Sequence, residues 1–316
     1  MLSTRFKTGI VGGNEVYVFQ KAGHRRLTTQ TIPFPNSLIT FLYMDMATTA
    51  PLLQKAADVL NVLIQTHDTE YARKVLSALN SLAKLHIYFE FLLQDWQDRI
   101  STAQELNSYT EQLLNPSLLR HIPENMRFIQ KQIGCLFARV LDKDSENVPT
   151  SAKMEAYCGE SGALVFQFVP LAIRFELLGN QGFTNALYPK SIYDLIDYQL
   201  RECVNQGIKL RVCKNCGHFF PVRGRGTALY CDITTDQTGR TCKNVGAFVC
   251  WTNKNADTEP FETYRQEYKR RFAWIKSGRI KPEEFYAWSK ISREKRADCE
   301  TGKISLEEFT AWLKES

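Results

Sequence analysis

The pattern of apolar and polar positions changes period along the chain. In the first forty residues it is β-like: "GIVGGNEVYVF" sets short apolar runs on either side of Gly12-Gly13-Asn14, a hairpin turn. "TIPFPNS" then interrupts the pattern with Pro33 and Pro35. From about residue 50 the period becomes helical. In "APLLQKAADVLNVLIQ", Leu52, Ala56, Val59, Leu60 and Leu63 recur on one face, and Pro51 suits a first helical position. "TEYARKVLSALNSLAKLHIYFEFLLQDWQDRI" keeps that period throughout and predicts one long core helix with Thr69 as its cap. Further helices are predicted near 102–114 and 124–141, with a loop at "DKDSENVPTS". "ALVFQFVPLAIRFELL" is apolar throughout, and periodicity leaves it open between strand and helix. "SIYDLIDYQLRECVNQG" predicts a helix ended by Gly207.

These elements predict a mainly α fold in four parts. Residues 1–45 are a β-hairpin and extended segment, and 46–208 are a mainly helical domain. Residues 209–256 are a cysteine module, and 257–316 are a basic helical arm. The arm carries one motif twice, 24 residues apart: "KSGRIKPEEFYAWSK" (276–290) and "ETGKISLEEFTAWLK" (300–314). Its Gly-x-Ile spacing resembles half of a calcium-binding loop, but Ala273, Ile275 and Ser277 occupy the early ligand positions of the first copy. Each copy is therefore expected to be a glycine-turned helix entry, with Pro282 at a first helical position and Ser305 with Glu308 as a capping box. Before the repeat, Phe261, Tyr264, Tyr268, Phe272 and Ile275 form an aromatic stripe, expected to pack on the cysteine module. Arg265, Lys269, Arg270 and Arg271 lie beside it.

The cysteine module holds the sharpest chemical signal. Cys213 and Cys216 stand at C-x2-C spacing, with Cys231 and Cys242 following after fourteen and ten further residues. A tight turn lets two thiolates three positions apart face one ion, and Gly217 supplies the backbone freedom such a turn needs. "HFFPV" and "TALYC" are expected to pair as a hairpin across Arg223-Gly224-Arg225-Gly226, returning Cys231 to the first pair. Thr241 would cap a helix starting at Cys242, whose positive end favours a thiolate. Knuckle, hairpin and helix start make a treble-clef-like, four-cysteine module for one structural Zn2+ per chain. A catalytic zinc would keep an open position and recruit His or carboxylate ligands. An iron–sulfur cluster and a redox C-x-x-C remain the alternatives, and His218 is a substitute ligand that four cysteines make unnecessary.

Composition adds three constraints. The 316 residues are 44% hydrophobic and 23% charged, as in a globular chain with a real core. No apolar stretch is long enough for a membrane helix and the amino terminus lacks a secretory signal, so a cytoplasmic protein with no membrane partner is expected. Cys135, Cys158, Cys203, Cys250 and Cys299 are scattered singly, which fits a reducing compartment. The net charge of +6 is uneven: residues 1–200 carry 18 Lys and Arg against 19 Asp and Glu, and 201–316 carry 22 against 15. The last third thus holds the whole excess, which points to a polyanionic partner. The histidines have no partners at catalytic spacing, His86 reads as a core or boundary residue, and the phosphate-loop and nucleophile-elbow motifs are absent.

At "RVCKNCGHFF", "YCD" and "CKN" the chain resembles the CGNR-type zinc fingers that end some bacterial transcription regulators, though Lys243-Asn244-Val245 lacks their glycine and arginine. A broader resemblance, over roughly the last two-thirds, is to the uncharacterised bacterial domain-of-unknown-function family 6076. The zinc module and the basic face beside it make the first expectation a zinc-stabilised protein that binds DNA or RNA, as a regulator or as part of a mobile-element or defence system. Arg223, Arg225, Arg265, Lys269, Arg270 and Arg271 are the expected nucleic-acid contacts. The competing expectation is a protein-interaction scaffold, whose repeated Phe and Trp residues dock a partner or a second copy. A third is an enzyme whose site lies in the helical domain.

Overall fold

The computed structural model describes residues 6–21, 26–144, 147–223, 226–234, 239–246 and 259–316, and its first element is the hairpin turned by Gly12 and Gly13. Strands β1 (Phe6–Val11) and β2 (Asn14–Gln20) pair from Val11↔Asn14 outward. Both loop residues have positive φ, 56° and 77°, the two-residue turn that matches strand twist and that glycine adopts without strain. A third strand, β3 (Leu27–Pro33), pairs along β2. Two strands from far along the chain, β4 (Ile173–Leu178) and β5 (Gly182–Leu187), complete an antiparallel sheet of order β3-β2-β1-β5-β4. The end of the undecided apolar run is therefore a strand. The amino-terminal segment is not a part by itself, because β1 joins β5 at Thr8↔Leu187.

The chain divides into two bodies, Met1–Val212 with His218–Ala228, and Cys213–Gly217 with Leu229–Ser316. In the first body the sheet joins helices α1 (Asn36–Leu42), α2 (Met46–Thr66), α3 (Thr69–Ala83), α4 (Ile87–Glu105), α5 (Ser117–Arg120), α6 (Ile122–Arg139), α7 (Thr150–Cys158) and α8 (Ile192–Asn205). Their apolar faces, with Leu53, Leu60, Leu79, Trp96, Phe137 and Leu195, close on Phe6, Tyr17 and Phe19 of the sheet. The mainly helical reading holds, with a larger sheet than the hairpin alone.

The single long helix expected from 69 to 100 is two. At His86 the backbone is extended (φ −158°, ψ 144°) and its ring Nδ1 accepts the Tyr88 N–H at 3.2 Å, capping α4. The apolar period runs through the break, so it gave no warning. Asp68, not Thr69, caps α3 by accepting from the Glu70 N–H. The segment 102–114 supplies only the end of α4. "HFFPV" also pairs elsewhere: strand β7 (Phe219–Pro221) runs back along β6 (Leu210–Val212), not with "TALYC". Backbone continuity favours this, because the C-x2-C turn already reverses the chain between β6 and β7.

The second body ends in three helices, α9 (Glu259–Lys276), α10 (Pro282–Glu300) and α11 (Leu306–Glu315). The repeat builds two like entries: Gly278 and Gly302 take positive φ of 70° and 77°, Pro282 opens α10, and Ser305 and Glu308 cap α11 reciprocally. Tyr264, Phe285, Trp288, Phe309 and Leu313 form the core of the arm. The aromatic stripe therefore packs on the repeat, with Tyr268 5.0 Å from Phe285 and Tyr264 6.4 Å from Trp288.

Candidate metal centre

The local fold around the cysteines begins with Gly217, whose φ of 74° lets its N–H return to the Cys213 carbonyl at 2.9 Å. That closes the turn on which Cys213 and Cys216 sit. The Lys214 N–H donates to Leu229, bringing the later strand of chain alongside the knuckle. The Cys242 N–H bonds the Ile233 carbonyl and the Lys243 N–H bonds the Cys231 carbonyl, both at 2.9 Å, so the third and fourth cysteines are locked together by backbone. Cys242 opens a helical turn at 242–246, and Thr241 Oγ1 accepts from the Asn244 N–H, as the sequence led us to expect. Gly246 sits against the Tyr230 ring so closely that a Cβ there would lie 2.3 Å from Tyr230 Cδ1.

These constraints converge the four sulfurs. One Sγ from each of Cys213, Cys216, Cys231 and Cys242 lies within 4.8 Å of the others, and three of the four residues are buried. The Cys216 and Cys231 sulfurs are 3.6 Å apart. A tetrahedron with metal–sulfur bonds of about 2.3 Å has sulfur–sulfur edges of about 3.8 Å, so the cluster is sized for one ion. Donors already point at the sulfurs: the Cys231 N–H reaches Cys213 Sγ at 3.4 Å and Asn215 Nδ2 reaches Cys242 Sγ at 3.2 Å. Burial works against the Cys213 thiolate, but backbone N–H groups of Cys216, Cys231 and Asn215 outweigh it and bring the thiol down to about 7. Burial, then hydrogen bonding to the neighbouring sulfurs, pushes Cys231 up. A cation at the centre would favour all four thiolates at once. The residues therefore fit a tetrahedral thiolate-bound ion that leaves no position for water. His218 is used otherwise, its ring stacked 3.7 Å from that of Tyr43.

The basic residues fare differently from one another. Lys269 is exposed, Arg265 pairs with Glu262 at 3.4 Å, and Arg270 pairs with Glu267 at 2.7 Å while lying over Trp274. Arg271 is 8% exposed. It bonds Glu267 at 3.0 Å and the Leu313 and Ser316 carbonyls, and it stacks 4.5 Å from Trp288. It is a core residue of the arm, and the signal was present: position 271 follows Tyr264 and Tyr268 by seven and three, on the aromatic stripe itself. Arg223, in the first body, donates to the Phe34 carbonyl at 3.1 Å. Arg225 lies outside the described residues, as does Cys250.

One constellation in the first body escaped the sequence reading. Glu15 is fully buried, accepting from Tyr17 Oη at 2.6 Å, the Ser37 N–H at 3.1 Å and Ser37 Oγ. Gln199 Nε2 donates to Tyr17 Oη at 3.0 Å. Burial raises the Glu15 carboxyl to about 7 in spite of these bonds. Beside it a cleft of about 750 Å³ is lined by Lys21, Asn36, Thr40, Asn80, His86 and Glu90, among others. His86 Nε2 bonds the Ser37 carbonyl at 3.0 Å, and burial lowers the ring to about 4. Because that nitrogen meets the carbonyl and not the hydroxyl, Ser37 and His86 do not form a nucleophile–base pair. The period-2 pattern held the clue: Glu15, Tyr17 and Phe19 share one strand face, and an acid on that face had to be buried.

Among the described residues no helix is long and apolar enough to cross a membrane. No curated protein and no solved structure matches the chain. Residues 166–315, a stretch that takes in all four clustered cysteines and the three helices of the arm, match a family of unknown function (DUF6076).

Proposed function

We propose that this chain is a zinc-stabilised protein that binds nucleic acid. The observation that carries the metal half is the convergence of four thiols within 4.8 Å, two from a knuckle, one from the returning segment at Cys231 and one from a helix start. Zinc suits it because all four ligands are sulfur and the spacing is that of one ion. A multi-iron cluster would hold its thiolates further apart, with sulfide-bridged irons between them. The module is treble-clef-like in its use of a C-x2-C turn and a helix N-terminus, and its metal supports shape.

The nucleic-acid half rests on charge: residues 201–316 carry 22 Lys and Arg against 15 Asp and Glu. On α9, Arg265, Lys269 and Arg270 reach solvent and are the proposed phosphate contacts of the arm. Arg223 and Arg225 extend the positive charge in the segment between Cys216 and Cys231. Arg271 is left out, because its guanidinium is used inside the arm. Such contacts position without specifying, so affinity falls alike for all sequences as salt rises. The test is fluorescence anisotropy of zinc-loaded protein with duplex DNA, single-stranded DNA and RNA across salt concentrations. Lys269→Ala/Arg270→Ala is expected to weaken binding and flatten the salt slope by about two counterions. Absence of binding at low salt, or a double variant that binds as well as wild type, would overturn the proposal.

A further inference from the structure

Strand β4 is the outer strand of the sheet and, among the described residues, pairs with β5 alone. Ile173, Phe175 and Leu177 lie on one of its faces, with Phe183 of β5 opposite Leu177. They are 43%, 72%, 46% and 68% exposed, and the rings of Phe175 and Phe183 stack 5.8 Å apart. At about 200 Å² per ring, the two phenyl groups alone leave on the order of 300 Å² of apolar surface in solvent. On the same face of the sheet Phe6, Tyr17 and Leu187 are buried in the core, so the apolar character continues past the point where the helices stop covering it. Edge strands that remain unpaired are normally blunted by charged side chains, above all lysine, by proline or by a bulge, and the two charges of β4, Arg174 and Glu176, are of opposite sign and cancel. Residues 173–178, Ile-Arg-Phe-Glu-Leu-Leu, contain no lysine or proline, and they pair with 182–187 without a bulge.

We infer that β4 pairs with β4 of a second copy of this chain, antiparallel about a twofold axis through Phe175. The sequence selects this register. Centred on Phe175, the pairing sets Arg174 opposite Glu176 of the second copy, twice, and Ile173 opposite Leu177. Centring on Arg174 or Glu176 sets like charges opposite each other, which is unfavourable. A shift by one residue puts the charged face of one strand on the apolar face of the other. Arg174 and Glu176 lie on the face away from Phe175, where Arg174 covers the Tyr188 ring at 5.0 Å and Glu176 bonds Tyr188 Oη at 2.7 Å and Lys7. The second copy adds one opposite charge to each. The apolar patch buried is smaller than the standard interface of about 1,600 Å², so association is reversible and concentration-dependent.

Sedimentation of the zinc-loaded full chain across a concentration series tests this. Wild type is expected to pass from monomer to dimer. Arg174→Glu alone and Glu176→Arg alone are each expected to weaken association at least tenfold, and an equal mixture of the two to restore it, because only the mixed pair has opposite charges at both positions. Phe175→Cys reads the register with no change of charge. A twofold at 175 brings the paired Cα atoms to about 4.5–5.5 Å, within disulfide reach. This variant should crosslink on oxidation beyond the wild-type background, and Ile173→Cys should not. A chain that stays monomeric throughout, an Arg174→Glu variant that associates like wild type, or crosslinking equal at 173 and 175 would overturn the inference.

Discussion

Replacing Glu15 by Gln removes a buried carboxyl whose titration opposes that of a neighbour, and the consequence is a change in how stability depends on pH. Burial lifts Glu15 from 4.5 to about 7, so the fold prefers its protonated form. Below pH 4.5 folded and unfolded chains both hold the proton and nothing is lost. Between 4.5 and about 7 the unfolded chain releases it first, and above that window the folded chain carries a buried carboxylate at a cost of about 3 kcal/mol. His86 behaves in the opposite sense. Burial drops it from 6.5 to about 4, so the fold prefers the neutral ring, and about 3 kcal/mol is lost as pH falls through that window. The two windows overlap, and in wild type the two slopes nearly cancel. Glu15→Gln leaves the His86 slope alone, so its stability relative to wild type should rise by about 3 kcal/mol from pH 4.5 to 8. His86→Asn should show the reverse trend. Urea unfolding at closely spaced pH values, with the difference between variant and wild type plotted against pH, reads both. A difference for Glu15→Gln that does not vary with pH would refute the reasoning, since it would mean that the carboxyl titrates in the fold as it does unfolded.

Two further outcomes follow from packing. Arg271→Ala should destabilise the arm by on the order of 3 kcal/mol, because it strips a buried guanidinium from Glu267, Leu313 and Trp288; hydrogen exchange in α9 and α11 should speed up, whereas Lys269→Ala should leave it unchanged. Gly246→Ala forces a methyl into the Tyr230 ring and should cost about 1–3 kcal/mol in the cysteine module, seen as faster metal release to a chromogenic chelator. Adding Tyr230→Ala should restore the slower rate.

What the sequence made legible was whatever is local. Gly12-Gly13 turns a hairpin, Gly207 follows a helix, and Ser305 with Glu308 caps one, because each depends on backbone geometry within a few residues. The C-x2-C spacing and Gly217 marked the cysteine cluster for the same reason. What stayed hidden depends on contacts made far along the chain. Nothing near Thr8 announces that Leu187 will pair with it, nor that β6 will capture β7. The break at His86 was invisible because its capping bond is a side-chain choice, made beside Ser37 and Thr40 from α1. Arg271 shares the charge of its neighbours, and only its place on the stripe, three positions after Tyr268, sets it apart.

The proposed function stands on four thiolates that hold one zinc and on a module that takes its shape from it. Metal analysis of tag-free protein by native mass spectrometry, with hydrogen exchange on the same samples, tests this most directly. One zinc per chain is expected. In Cys231→Ser lost zinc and rapid exchange at 213–217, 229–234 and 239–246 are expected, while the helices around Trp96 stay protected, since a module this small depends on metal binding to fold. Wild type free of zinc, or Cys231→Ser with unchanged metal content and protection, would contradict it.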